Sequence, residues 1–126
     1  MSIHLNYDKT KEILYCSFCD SFSLEELEST LYAITHSTEY APDVKSSWNM
    51  EKLDHSAINE KVMKQLISIR QKYPQRRNAK VAIVAPSDLV FGLSRMYETF
   101  SEVNSMPQNI YVFRNQADAD KWLLDE

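Results

Sequence analysis

Cys16 and Cys19 stand in the C-x-x-C spacing of redox and zinc sites. Either chemistry needs a turn or a helix N-terminus that brings the two sulfurs together. Residues 13–18 are instead rich in strand-formers, and on a strand residues three apart point to opposite faces. Two separately packed thiols are the plainer expectation, because unpaired cysteine is readily buried. His4 would be the nearest further ligand, but four ligands do not fall at metal-binding spacing, so neither a metal nor a cofactor is expected. His4, His36 and His55 fall on a strand, a helix end and a turn, and no neighbouring acid and nucleophile make a triad-like set visible. Asp54 and His55 have the residue types of an acid/base pair. Neighbours in a turn usually diverge, however, and a solvated turn is the simpler reading. Binding rather than turnover is expected of this chain.

Ser87 and Asp88 follow an apolar strand and open a helix, the place where open α/β sheets build their ligand crevice. An anion there could use the free helical N–H groups, with Arg95 two turns along; Asp88 opposes that, and Ser87 has the residue type of a simple cap. Gly92 is the one glycine of the chain. Inside a helix it costs on the order of 1 kcal/mol relative to Ala, so a close contact is expected at it, with packing on the sheet ahead of a ligand or partner helix. In the second case Phe91, Tyr97 and Phe100 would line an apolar groove, although aromatics at helical spacing are more often core.

These residues need elements to hold them. Ile3, Leu5 and Tyr7 alternate with polar neighbours, a polar turn follows over 8–11, and residues 13–18 form the second strand of a β-hairpin. Ser23 and Glu26 have capping-box spacing, Phe22 and Leu27 can form a hydrophobic staple, and Leu24, Leu27, Leu31 and Ile34 make a helical stripe. Val44, Ser46, Trp48 and Met50 alternate as a half-buried strand would. Ile58, Val62, Leu66, Ile69 and Tyr73 predict a second helix, capped at Ser56 and stopping before Pro74. Val81-Ala82-Ile83-Val84-Ala85 is apolar on both faces and is expected mid-sheet. A third helix then presents Leu89, Leu93, Met96 and Phe100 on one face, a strand follows over 110–113, and Asn115 caps a last helix carrying Trp122 and Leu123. The order is β-β-α-β-α-β-α-β-α, an α/β fold with a mixed β-sheet and packed helices.

Composition narrows the field. With 126 residues, 44% of them hydrophobic and 25% charged, a single folded domain over 1–126 is expected. The formal net charge is −4. The densest basic stretch, Lys72, Arg76, Arg77 and Lys80, flanks a helix end, where a solvated cap is a plainer reading than a phosphate patch, so no nucleic acid is expected as partner. No apolar run is long enough to span a bilayer, and two cysteines are too few for a disulfide framework; no membrane insertion and a cytoplasmic location are expected.

The succession of strand, Asp54-His55-Ser56-Ala57, helix, apolar strand, Pro86-Ser87, helix and Tyr111-Val112-Phe113 resembles the STAS domain of anti-sigma-factor antagonists and sulphate-transporter tails. More specifically, Ala85-Pro86-Ser87-Asp88, Phe91-Gly92, Arg95-Met96-Tyr97, Phe113-Arg114, Ala119 and Trp122-Leu123 are similar to small STAS-like, SpoIIAA-like or Sec14-like bacterial proteins of unassigned function. In the antagonists a serine in an Asp-Ser-Ser-Gly turn is phosphorylated to switch partner binding. Here the matching turn places His55 at the acceptor position and Ala57 at the glycine. Ser56 could still take a phosphate at a helix N-terminus, or serve only as a cap.

The resemblance implies a non-enzymatic regulatory domain that binds a protein partner. The alternative expectation, from the aromatic content, is a small-molecule or lipid-binding module with an apolar pocket beside the Gly92 helix. Hairpin edges and apolar helix faces also commonly support two-fold association, so a homodimer is expected.

Overall fold

Asp8 folds the chain back on itself: its Oδ1 accepts the N–H groups of Thr10 and Lys11 at 2.9 and 3.0 Å. Glu12 completes the reversal in the left-handed region, at φ 57. The result is the expected hairpin, β1 (Ile3–Asp8) antiparallel to β2 (Ile13–Asp20). The computed structural model describes residues 2–21, 23–103 and 109–125. After the hairpin come α1 (Leu24–Thr35), β3 (Lys45–Leu53), a 3-10 turn (His55–Ala57), α2 (Glu60–Gln71), a second such turn (Pro74–Arg76), β4 (Val81–Val84), α3 (Asp88–Val103), β5 (Ile110–Phe113) and α4 (Gln116–Leu124).

The sheet runs β1-β2-β3-β4-β5 in sequence order, with every pair after the hairpin parallel. Crossovers of one hand that all step the same way place their helices on the same face. Accordingly α1 and α2 pack over Leu14, Cys16, Phe18 and Trp48, while α4 alone covers the other face over Ile13, Ala82 and Val84. No helix among the described residues is long and apolar enough to cross a membrane.

The middle strand is β3, with β4 beside it, inside the sheet and buried on both faces. The half-buried alternation expected over 44–50 is corrected by this position. Ser46 and Ser47 point to opposite faces, yet both are buried, at 0% and 1% exposure. Each hydroxyl is answered on its own face: Trp48 Nε1 donates to Ser46 Oγ at 3.0 Å, and Gln116 Nε2 to Ser47 Oγ at 2.8 Å.

Helix starts follow side-chain oxygens. Ser23 Oγ accepts the Glu26 N–H at 3.0 Å, but the Glu26 carboxylate does not close the capping box. It takes the N–H groups of Ser2 and Ile3 and the Ser2 hydroxyl instead, tying the start of β1 to α1 and holding its carboxyl below the usual range, with the Ser2 hydroxyl the largest cause. The expected staple involves Phe22, which lies outside the described residues. Asn59, not Ser56, caps α2, accepting the Val62 N–H at 2.9 Å. Ser56 belongs to the separate 3-10 turn because Ile58 is extended and breaks the path between them. As expected, Asn115 caps α4, and α2 ends before Pro74.

Two helices are rotated from their expected faces. In α2 Met63, Ile67 and Ile69 are buried, with Leu66 and Tyr73 partly so. In α3 Leu89 and Met96 are 57% and 45% exposed, while Val90, Ser94 and Ser101 point inward. One residue of phase is about 100° of rotation, so Val90, Ser94 and Ser101 occupy positions where apolarity alone would place Leu89 and Met96. Ser101 Oγ donates to the Tyr97 carbonyl at 3.0 Å and accepts from Arg70 Nη1 at 3.3 Å.

The same rotation turns Gly92 outward, and a Cβ built there meets nothing within 4 Å. The close contact expected at Gly92 is therefore absent. Gly92→Ala should raise the stability by about 1 kcal/mol, the helix-propensity difference. Urea unfolding checks this, and a loss of stability would contradict the outward placement.

Candidate functional site

Between the sheet and the pair α2 and α3 lies a cavity of about 360 Å³. Its floor is Trp48, Met50 and Ile83; Met63 and Leu66 wall it from α2, and Val90, Leu93 and Ser94 from α3. Small Ser94, facing inward where a larger apolar group would fill the gap, helps keep the space open. Leu53 and Ile58 close it at the C-terminal ends of the parallel strands. At their N-terminal ends stand Arg70, Arg76 and Arg77 with Tyr73 and Pro74.

Arg76 is the most constrained of these cations. Its Nη1 donates to the carbonyls of Pro42 and Val44 at 2.8 and 3.1 Å, and its Nη2 to Ser46 Oγ at 3.2 Å. Asp43 acts on the charge through space, but no carboxylate forms an ion pair with Arg76 among the described residues. Desolvation is the largest influence and pulls its pKa below the ordinary guanidinium value, yet an arginine stays charged in a protein. The expectation of solvated helix-end cations is thus corrected for Arg76. Beside it, Arg70 Nη1 donates to the Tyr97 hydroxyl at 2.9 Å, with its guanidinium 5.7 Å from the Tyr97 ring centroid.

Of the six candidates at the start of the third helix, only Tyr97 lines this cavity. Ser87 Oγ accepts the Val90 N–H at 3.2 Å and so caps α3. Asp88 pairs with Arg114, whose guanidinium carbon lies 4.0 Å from the centroid of the Phe91 ring. The exposed Arg95 pairs with Glu98 at 3.1 Å. Ser87 is thus the simple cap of the plainer reading, and Arg95 is not brought to it; Arg114, which sequence reasoning did not place here, takes up the acid at the helix start. The groove expected along Phe91 and Gly92 is likewise replaced by a cavity on the inner side of α3. Its basic end did carry a sequence signal, the run from Lys72 to Lys80 interleaved with Tyr73 and Pro74.

Asp54, His55 and Ser56 form the turn that leaves β3. Asp54 Oδ1 accepts the Ser56 N–H at 3.0 Å, and that bond is the main cause holding its carboxyl below the usual range. The His55 side chain makes no hydrogen bond or ion pair among the described residues, so this turn brings no nucleophile to it. Cys16 is buried and Cys19 half-buried, both free, with a register shift in β2 between Ser17 and Cys19. Burial pushes the Cys16 thiol well above its ordinary value, which leaves it a neutral packing group. No three His, Cys, Asp or Glu side chains among the described residues are grouped to hold a metal ion.

The opposite face carries a polar network that docks α4. Asp120 Oδ1 accepts from the Tyr15 hydroxyl at 3.1 Å and from Gln116 Nε2 at 2.9 Å, and Lys11 lies 3.7 Å from Oδ2. Its members answer one another and leave no convergent group for chemistry.

This arrangement, five strands with three crossover helices on one face and a returning helix on the other, is a SpoIIAA-like fold. The crystal structure of an uncharacterized protein of the DUF3478 family with that fold, from Shewanella loihica PV-4, is similar to it. The two align over 97% of this chain and 94% of that one, with a TM-score of 0.66 and 17% sequence identity. The likeness is one of fold. No family model matches the chain, and no curated protein matches it.

Desolvation first, then the bond to Asp120, pushes the Tyr15 phenol up to about 12. A raised pKa favours the protonated form in the folded state. That contribution is whole below the ordinary phenol value near 10 and is lost as pH rises through about 12. Burial raises the Tyr40 phenol as well, so ultraviolet titration should show a late component near pH 12 that loses one phenol in Tyr15→Phe and titrates earlier in Asp120→Asn; a late component unchanged by Tyr15→Phe would refute the assignment.

Proposed function

We propose that this chain is a non-catalytic binding domain of the STAS type whose cavity takes up a small apolar molecule. The observation that carries the reading is the cavity itself. Its volume of about 360 Å³ falls at the small end of the ~300–1,000 Å³ range of ligand sites. A pocket of this size with mostly apolar walls, set between a sheet and two helices, is the kind of place in which small molecules bury most of their surface. Ligand uptake needs no metal and no activated nucleophile. A reducing cytoplasm, where Cys16 and Cys19 stay thiols, suits such a domain.

A second reading, regulation of a partner protein, is favoured by one observation. The turn holding Asp54, His55 and Ser56 hangs between Leu53 and Ile58, and both of these line the cavity. A ligand that moved either residue would move the turn, which by its resemblance to the anti-sigma antagonists corresponds to their phosphorylated turn, with His55 at the acceptor position. The two readings then describe one device, with the cavity as input and the turn as output.

Naphthalene fluorescence titration of the detergent-free protein tests the first reading. Saturable binding at one site is expected for wild type. Leu93→Trp should weaken it at least tenfold by filling the cavity, whereas Leu89→Ala, on the exposed side of α3, should leave it unchanged. Thermal unfolding of each variant controls for folding. Wild type that binds nothing, or Leu93→Trp that folds and binds like wild type, would overturn the proposal.

A further inference from the structure

The cavity is apolar along its walls but charged at one end, and all of that charge has one sign. Arg70, Arg76 and Arg77 line it, and no aspartate or glutamate does. This gathering of cations occurs in a chain whose formal net charge is −4.

A buried charge is ordinarily paired, since removing it from water without a counter-charge is costly. Arg76 is half-buried and has no carboxylate paired to it among the described residues: its three hydrogen bonds go to two carbonyls and a hydroxyl. A guanidinium has five N–H groups. Two on Nη1 and one on Nη2 are used, which leaves the Nε–H and one Nη2 hydrogen without a partner among the described residues. Adjacent guanidinium donors of this kind make the fork that takes a carboxylate or phosphate oxygen pair. Exposed Arg77 adds a second charge next along the chain, and Arg70 a third.

From this we infer that the ligand is an amphiphile, a short aliphatic chain carrying one anionic head group, with the chain between α2, α3 and the sheet and the head group on Arg76 and Arg77. The inference rests on the binding function proposed above and adds the ligand's charge and polarity. At roughly 30 Å³ for a methylene-sized group, the volume per molecule in liquid water, the cavity of about 360 Å³ accommodates about twelve heavy atoms, the size of decanoate with its head group. The anionic head group is the shared chemistry of a free fatty acid and of an alkyl phosphate, and the test separates these sources.

The test is isothermal titration of the full chain with decanoate, decyl phosphate and decanol, each below its aggregation threshold. At least one of the two anions is expected to bind ten times or more tighter than decanol, and added salt should narrow that gap. Preference for decanoate assigns a carboxylate ligand, and preference for decyl phosphate a phosphate ligand. Arg77→Gln should weaken the preferred anion at least threefold and leave decanol unchanged. Arg76→Met should reduce the anion to the level of decanol; if it does not fold, the wild-type comparison and Arg77→Gln decide. Decanol binding as tightly as both anions would overturn the inference while leaving the cavity function standing. Failure of all three to bind would overturn the inference, and the naphthalene titration would then decide separately whether the cavity function stands.

Discussion

Every parallel crossover in this sheet steps the same way, from β2 to β3 to β4 to β5, and that single regularity organises the molecule. Three helices of 12, 12 and 16 residues are crowded onto one face, and the nine-residue α4 is left to close the other. It also puts β3 in the middle, with Ser46, Ser47 and Trp48 buried across both its faces. Once Ser46 is buried there, its hydroxyl needs a donor, and so do the carbonyls of Pro42 and Val44 just before it. Arg76 supplies the donors for all three. A cation is thereby drawn into the helical layer by neutral oxygens, with no carboxylate paired to it.

The cavity arises from the same crowding. Helices α2 and α3 must both lie over β3, β4 and β5, and α3 meets them with Ser94 and Ser101 rather than with its bulkiest residues. Ser101 and Tyr97 are held by Arg70 from α2, so the two helices are joined by polar contacts near the arginine end and separated by open apolar space further along. Geometry and electrostatics meet at Arg70, which lines the cavity's charged end and holds the Tyr97 and Ser101 hydroxyls of α3.

Much of the fold was legible in the residues. The hairpin, the caps at Ser23 and Asn115 and the apolar strand at 81–85 are local features, set by turn chemistry and period. Helix phase was not. Leu89 and Met96 are more apolar than Ser94 and Ser101, yet they face outward, while the Tyr97 and Ser101 hydroxyls on the inner side both accept from Arg70. Arg70 is more than two dozen residues away in the chain, and periodicity does not register it. The same blindness hid the site. Arg76 looks like a solvated cation at a helix end until the carbonyls of Pro42 and Val44 are brought to it, and Gly92 looks like a packing contact until α3 is turned.

The account stands on the space between α2, α3 and the sheet being real, dry and reachable in solution. Methyl NMR of the protein under xenon pressure measures this directly, because xenon enters apolar cavities and shifts the methyl groups around it. Shifts concentrated on Ile58, Met63, Leu66, Ile83 and Leu93, with Leu123 on the buried face of α4 unmoved, are the predicted result. Spectra that do not respond to xenon, or that respond as strongly at Leu123, would contradict it.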